Sequence, residues 1–349
     1  MTEADPRVVL DDGVASEDLS VRGRAVSALI EADGVGEVAR GAVSDPDPWI
    51  QRAAVEALCD RDDDASHSLI ASVVQDVDVD AYVRGRGAVC LVNAGGEVAV
   101  EWAEGVEAWN QPPLMLGAAL QGDSEALEGL QQRLRHGELP LEVQFMFDAG
   151  RSGLVELLPA LREAQGRVEE EMELPVAAAI LLLGDPSGEQ PLRLALADSV
   201  VERRLEALDY VVQIDGPNAD ALLRRAKAQG PDLVRWYADL VLASRKGNDA
   251  AIWSRALGSD DRGVRVFAVR YAAELASDPV AAENRRTVRA ARQAVSAGLR
   301  DADADVRIES LRALGGLGVA GDEDAVRANL TDRYEAVRVA AAAALVTSN

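Results

Sequence analysis

Few residues in this sequence are of types that perform chemistry, and their spacing is the first thing to test. There are two histidines, His67 followed by Ser68 and His136 followed by Gly137. Neither has a second ligand one helical turn away, so the three or four ligands of a metal site are not in place. Nor does a nucleophile and base pair present itself for acid–base catalysis. Cys59 and Cys90 are too few and too far apart for a metal knuckle or a disulfide framework. They fall late in two consecutive predicted helices, which brings them near each other, and the expectation is a pair of buried free thiols. Gly316-x-Gly318-x-x-Gly321 matches the dinucleotide-binding fingerprint in letters. It follows a predicted helix, whereas the fingerprint works only after a strand. No catalytic, cofactor-binding or metal-ligating residue is expected, and no cofactor.

Two sets of residues are candidates for partner binding. Trp102, Trp109, Phe145 and Phe147 belong to the stretch from Trp102 to Ser199 that carries most of the large aromatic side chains of the middle of the chain, together with the acidic run Glu169, Glu170, Glu171 and Glu173. Arg285, Arg289 and Arg292 lie four and seven residues apart in a helix-like segment, Ala281 to Arg300, and make one basic face.

The elements that must position these residues are helices in a repeating pattern. Val306 is followed by small or apolar residues at +4, +7, +8 and +11 (Ser310, Ala313, Leu314 and Leu317), which is one face of an α-helix. Val21, Ile50, Val83, Val234, Val264 and Val337 lead similar runs, separated in the clear cases by 29 to 42 residues. The period is about thirty residues, and degenerate copies fill the middle of the chain. Each unit holds two short helices, neither of which buries its apolar stripe alone, so stability comes from stacking on neighbours. Asp18, Asp47, Asp80, Asp261 and Asp303 each precede a leader by three residues, where a carboxylate caps a helix N-terminus. Asp45-Pro46, Asp185-Pro186 and Asp278-Pro279 break the chain between helices.

The phrase Asp303, Val306, Arg307, Ser310, Ala313, Leu314, Gly315, then Asp322, Ala325 and Leu330, resembles the short HEAT-like repeat named after phycobilisome lyases. The resemblance covers nearly the whole chain and implies an all-α, right-handed solenoid of about eleven helical hairpins. It also implies that Arg22, Arg84, Arg235, Arg265, Arg307 and Arg338, each following its leader, form a ladder with turn carboxylates of adjacent units. Such repeats occur in lyases, chaperone-like assembly factors, scaffolds and one class of DNA glycosylases, so fold alone does not select a function. Di-iron hydroxylases of this type use His-Glu pairs, which are missing at His67 and His136.

The expected organisation is one array over 1–349: a partial repeat at 1–15, regular repeats at 16–111, degenerate repeats at 112–230, and regular repeats at 231–349 with an insertion near 276–300. The chain ends after a first helix, so both ends read as half-repeats. The last helix, Val337 to Val346, is almost all alanine and valine. An uncovered apolar side there predicts end-to-end self-association.

Charge restricts the partners. Sixty acidic against 36 basic residues give a net charge of −24, and Lys227 and Lys246 are the only lysines. Such a field repels phosphate backbones and anionic membranes, so nucleic acid and membrane are not expected partners. An acidic, lysine-poor surface is also what a salt-rich cytoplasm selects for solubility. The N-terminus has no basic-then-apolar signal, and the longest apolar run, Pro175 to Leu183, is too short to span a bilayer, which together predict a cytoplasmic protein. The function read from the sequence is a non-catalytic protein-interaction scaffold or assembly adaptor. The alternatives are a lyase or chaperone-like factor acting on a protein-bound chromophore and, less well supported by charge, a DNA glycosylase.

Overall fold

All seven leaders are buried, none with more than 2% of its surface exposed, and each heads a helix. A computed structural model describes residues 4–98, 111–136, 143–246, 249–278 and 285–348. Within them the secondary structure is helical throughout, with no strand. In chain order the helices are α1 (Pro6–Val14), α2 (Leu19–Asp33), α3 (Glu37–Ala42), α4 (Pro48–Cys59), α5 (Asp64–Gln75), α6 (Ala81–Asn93) and α7 (Pro112–Leu120). They continue with α8 (Ser124–His136), α9 (Val143–Arg151), α10 (Leu158–Gln165), α11 (Glu170–Leu182), α12 (Glu189–Ala195), α13 (Val201–Val211) and α14 (Pro217–Gln229). The last seven are α15 (Asp232–Lys246), α16 (Ile252–Leu257), α17 (Arg262–Ser277), α18 (Arg285–Gly298), α19 (Ala304–Leu317), α20 (Glu323–Ala328) and α21 (Glu335–Thr347).

The cap residues behave as their positions require. Asp47 accepts the backbone N–H of Trp49, Asp80 those of Tyr82 and Val83, Asp261 that of Gly263, and Asp303 that of Asp305, all at 2.7–3.2 Å. Asp18 accepts from Ser20 and Val21, and these bonds hold its carboxyl below the usual range. Beyond α19 the backbone turns through Gly318 and Gly321, whose φ values of 79° and 89° favour glycine, so the apparent dinucleotide fingerprint is an inter-helix turn.

The helices fall into two compact units, Gly34–Leu222 and a second made of Met1–Asp33 with Leu223–Asn349. In the first unit, α4, α6, α7, α9, α11 and α13 pack in succession, with α5, α8, α10 and α12 as the accompanying layer. In the second unit α15, α17, α19, α21 and then α2 pack in succession, with α16, α18, α20 and α1 as the accompanying layer.

In the second unit both N-terminal helices, α1 and α2, pack on the last helix, α21, and on each other. Val337, Val339, Ala340, Ala341, Ala342, Ala344 and Leu345 are all buried, so the apolar face of the last helix is covered by the protein's own N-terminus. The physical reason is close approach. A Cβ on Gly13 of α1 would stand 2.9 Å from a methyl of Val339 and 3.0 Å from Ala25, so only glycine allows the three helices to meet.

Candidate functional site

Two of the arginines that follow the leaders, Arg265 and Arg307, clamp a carboxylate of a neighbouring helix-opening turn. Arg265 reaches Asp301 in the next turn at 2.9 Å and Arg307 reaches Asp332 at 2.8 Å, and both also donate to carbonyls of their own turns. Arg338 caps the carbonyls of Asp332 and Arg333. Arg84, 2% exposed, instead donates to the carbonyl of Val74, and Arg235 pairs within its own helix with Asp232. Burial pushes the Arg84 guanidinium below its ordinary pKa, an effect that Asp76 opposes.

Along the succession α15, α17, α19, α21 and α2, the positions three and six residues after each leader share one face of each helix. At +3 these are Tyr237, Phe267, Glu309, Ala340 and Arg24; at +6 they are Leu240, Arg270, Arg312, Ala343 and Ser27, in the order α15, α17, α19, α21, α2. Tyr237 and Phe267 stack with ring centroids 4.1 Å apart. Glu309, 8% exposed, accepts from Arg270 at 3.1 Å and from Arg312 at 2.8 Å, so one carboxylate serves two guanidiniums. Burial opposes the charge on Arg270, but Glu309 more than offsets it by attraction and hydrogen bonding and holds the guanidinium above its ordinary pKa.

Arg24 stands on the far side of α21. Among the described residues its one hydrogen bond is a long one, 3.4 Å, to the carbonyl of Ala336, and no carboxylate lies within ion-pair distance of it. Burial lowers its pKa and the charge of Arg312 adds to this, while Glu309 and Asp18 act in the opposite direction. Glu274 of α17 completes the group. It is an exposed residue, yet partial desolvation by the neighbouring helices pushes its carboxyl up against the pull of Arg270, Arg245 and Arg312.

The first unit holds a different feature. Cys59 at the end of α4 and Cys90 in α6 form a disulfide with Cα atoms 5.8 Å apart, and both residues are half-exposed. The expectation of buried free thiols is therefore corrected on both counts: late positions in the packed helices α4 and α6 bring the sulfurs together where both residues are half-exposed. The disulfide forms part of the wall of a cavity of about 560 Å³ with His67, Arg86, Asp148 and Arg151. Arg86 makes a two-pronged ion pair with Asp148 at 2.6 Å, and Arg151 lies over the Phe147 ring and donates to Gln213. Charge at this wall is thus balanced within the protein.

The residues selected from sequence as partner contacts are dispersed. Trp102 and Trp109 lie outside the described residues. Phe145 and Phe147 are 3% and 5% exposed in α9, and Phe147 stacks on Tyr210 at 5.6 Å, so both are core residues, as period-matched aromatics on a packed helix should be. Arg285 and Arg289 of α18 are exposed as expected, but Arg292 turns away from them to donate to the carbonyls of Leu317, Gly318 and Ala320, closing the C-terminus of α19. The basic face therefore consists of two of the three arginines. Arg24, Glu309 and Arg312 were missed, although their offset from the leaders was present in the sequence. Among the described residues no group of three His, Cys, Asp or Glu side chains is placed to hold a metal ion, and no helix is long and apolar enough to cross a membrane.

No family model matches the chain, and no curated protein matches it. Among solved structures, an engineered protein from a structural genomics programme matches with a TM-score of 0.28 at 18% identity, over 99% of this chain and 98% of that one. Human deoxyhypusine hydroxylase in complex with glycerol matches with a TM-score of 0.29 at 17% identity, over 81% of this chain and 95% of that one. At these scores neither likeness carries an argument about this protein's fold or activity.

Proposed function

We propose that the chain is a right-handed solenoid of about eleven short HEAT-like repeats and that it acts as a non-catalytic scaffold or assembly adaptor for a protein partner. Helical pairs that pack on their sequence neighbours, with repeated Asp caps and Arg clamps, support the repeat reading. One observation supports the interaction reading above all others: the +3 and +6 positions of α17, α19 and α2 place Phe267, Arg270, Arg312 and Arg24, none of them buried, along one face of successive helices. Arginine is among the side chains that dominate binding energy at protein interfaces, and a rigid helical layer holds it at low entropic cost.

The test is a pull-down from native lysate at low and raised ionic strength, followed by mass spectrometry, alongside incubation of the pure protein with alkylated DNA. The scaffold reading expects one stoichiometric protein, lost or reduced as salt screens the arginines. A coloured complex would favour the chromophore-lyase alternative, and release of an alkylated base would replace the scaffold with a glycosylase.

A further inference from the structure

We propose that the Cys59–Cys90 disulfide is a redox modification site: a low-molecular-weight thiol enters the cavity that the disulfide borders, attacks it in the folded protein and unlinks α4 from α6. The site lies within the unit Gly34–Leu222 and does not depend on the scaffold reading, whose arginine face belongs to the other unit.

Three observations place the sulfurs within reach of a small molecule. Both cysteines are half-exposed, and both line the cavity of about 560 Å³. That volume lies within the range of about 300–1,000 Å³ usual for small-molecule sites, so a thiol the size of a tripeptide fits and a folded protein does not. The second observation is where the cross-link sits along its helices. Cys59 is the last residue of α4 and Cys90 stands in the last turn of α6, whereas the leaders that anchor the same two helices, Ile50 and Val83, are each 1% exposed. Attack on the sulfurs therefore does not require the apolar layer to open. The third is the rim: Asn93 and Ala94, where α6 ends, line the same cavity and are exposed.

The same placement sets the direction of the chemistry. Neither cysteine stands at a helix N-terminus, where the dipole favours a nucleophilic thiolate, so the disulfide is the electrophile and the thiol from solution is the nucleophile. The sulfur of the incoming thiolate bonds to Sγ of one cysteine, the Sγ–Sγ bond breaks, and its electron pair leaves on the other sulfur, which takes a proton from water. A second thiol attacks the mixed disulfide at the incoming sulfur and expels the first cysteine. Two thiols are thereby oxidised to one disulfide, and Cys59 and Cys90 are reduced. Charge sets no sign for the reductant, because the lining carries Asp60, Asp62 and Asp148 against Arg61, Arg86 and Arg151. Opening the bond leaves α4, α5 and α6 with their packing but removes a tie across 31 residues, so the constraint on this unit follows the thiol content of its surroundings.

The experiment uses the full oxidised chain and an excess of glutathione in native buffer, with timed acid quenching, alkylation and mass spectrometry to count protein thiols and glutathionyl adducts. The disulfide is reduced in the folded state, at a rate that urea leaves unchanged below the unfolding transition. Ala94→Trp and Asn93→Trp each set an indole on the cavity wall at an exposed position. Each slows reduction by about 10-fold through loss of access to the sulfurs, while the urea midpoint of the oxidised protein stays where it is. Two positions are used so that a variant which fails to fold, seen by its midpoint, leaves the other to decide. A rate that climbs with urea below the transition shows that the sulfurs are reached only by opening of the fold, and it overturns the proposal. Folded variants that react as fast as the wild type overturn it too, as does a disulfide that glutathione leaves intact.

Discussion

Breaking the Cys59–Cys90 disulfide should destabilise the unit Gly34–Leu222 by an amount that follows from its loop. The cross-link closes 31 residues, from the end of α4 through α5 and into α6. Chain-entropy reasoning for a loop of that size gives about 3.5 kcal/mol at room temperature. The α4–α5–α6 hairpins already pack on one another, so residual order in the unfolded chain reduces this toward about 2 kcal/mol. Against a total stability of about 5–15 kcal/mol, either value is a large share. With a urea slope of about 2 kcal/mol per molar, the unfolding midpoint of that unit falls by about 1–2 M. The assay is urea unfolding of the wild-type protein with and without a reductant, beside Cys59→Ala/Cys90→Ala under both conditions. The wild type should lose stability on reduction, and the double variant should be low and insensitive to reductant. Equal midpoints for oxidised and reduced wild type would refute the reasoning, since they would mean that the cross-link restrains nothing the fold does not already restrain.

Other consequences are more local. Asp332→Asn leaves the Arg307 guanidinium, 10% exposed, without its carboxylate, and the cost should be about 2–4 kcal/mol of thermal stability, measured by calorimetry, with Arg307→Met less harmful than Asp332→Asn because it removes the charge as well. Burial, followed by the charges of Glu206 and Asp209, raises the Tyr210 phenol to about 12. A raised folded-state pKa means that the stability is complete below the ordinary phenol pKa of about 10 and is lost as pH rises toward 12. Chemical unfolding across that range should show this loss, and Tyr210→Phe should flatten it. At the acid end, the hydrogen bond from Arg7 holds the Asp33 carboxyl below its usual range. The α1–α2 contribution is therefore present above about pH 4 and lost as Asp33 protonates below it. Asp33→Asn should remove that acid limb in a pH series of melting temperatures.

The sequence made the helical pairing legible because the forces behind it are local. The leader residues, their +4 and +7 partners and the Asp three positions earlier each report a buried stripe or a cap within one helix, and these are where the structure places them. Other features depend on contacts between distant parts of the chain. The union of α1 and α21 joins residues more than three hundred positions apart, and Gly13 has no local signature that marks it as the contact. Cys59 and Cys90 were recognisable as neighbours from the repeat, but nine residues after one leader and seven after the other do not reveal that both sulfurs reach a half-exposed wall. Arg292 reads as surface charge by spacing, and only the position of the α19 C-terminus makes it a cap. The arginine row was present at fixed offsets from the leaders. It went unread because apolar periodicity directs attention to the face of each helix that is buried.

The account depends most on the two ends of the chain building one surface, because α2 carries Arg24 and α19 carries Arg312 with α21 between them. Hydrogen exchange read by mass spectrometry on the full chain and on Gly13→Leu tests this directly. The added side chain collides with Val339 and Ala25, so amides of α1 and α21 should lose protection while those of α4 and α6 keep theirs. Unchanged protection of α21 in the variant would contradict the closure of the chain's ends and, with it, the shared surface.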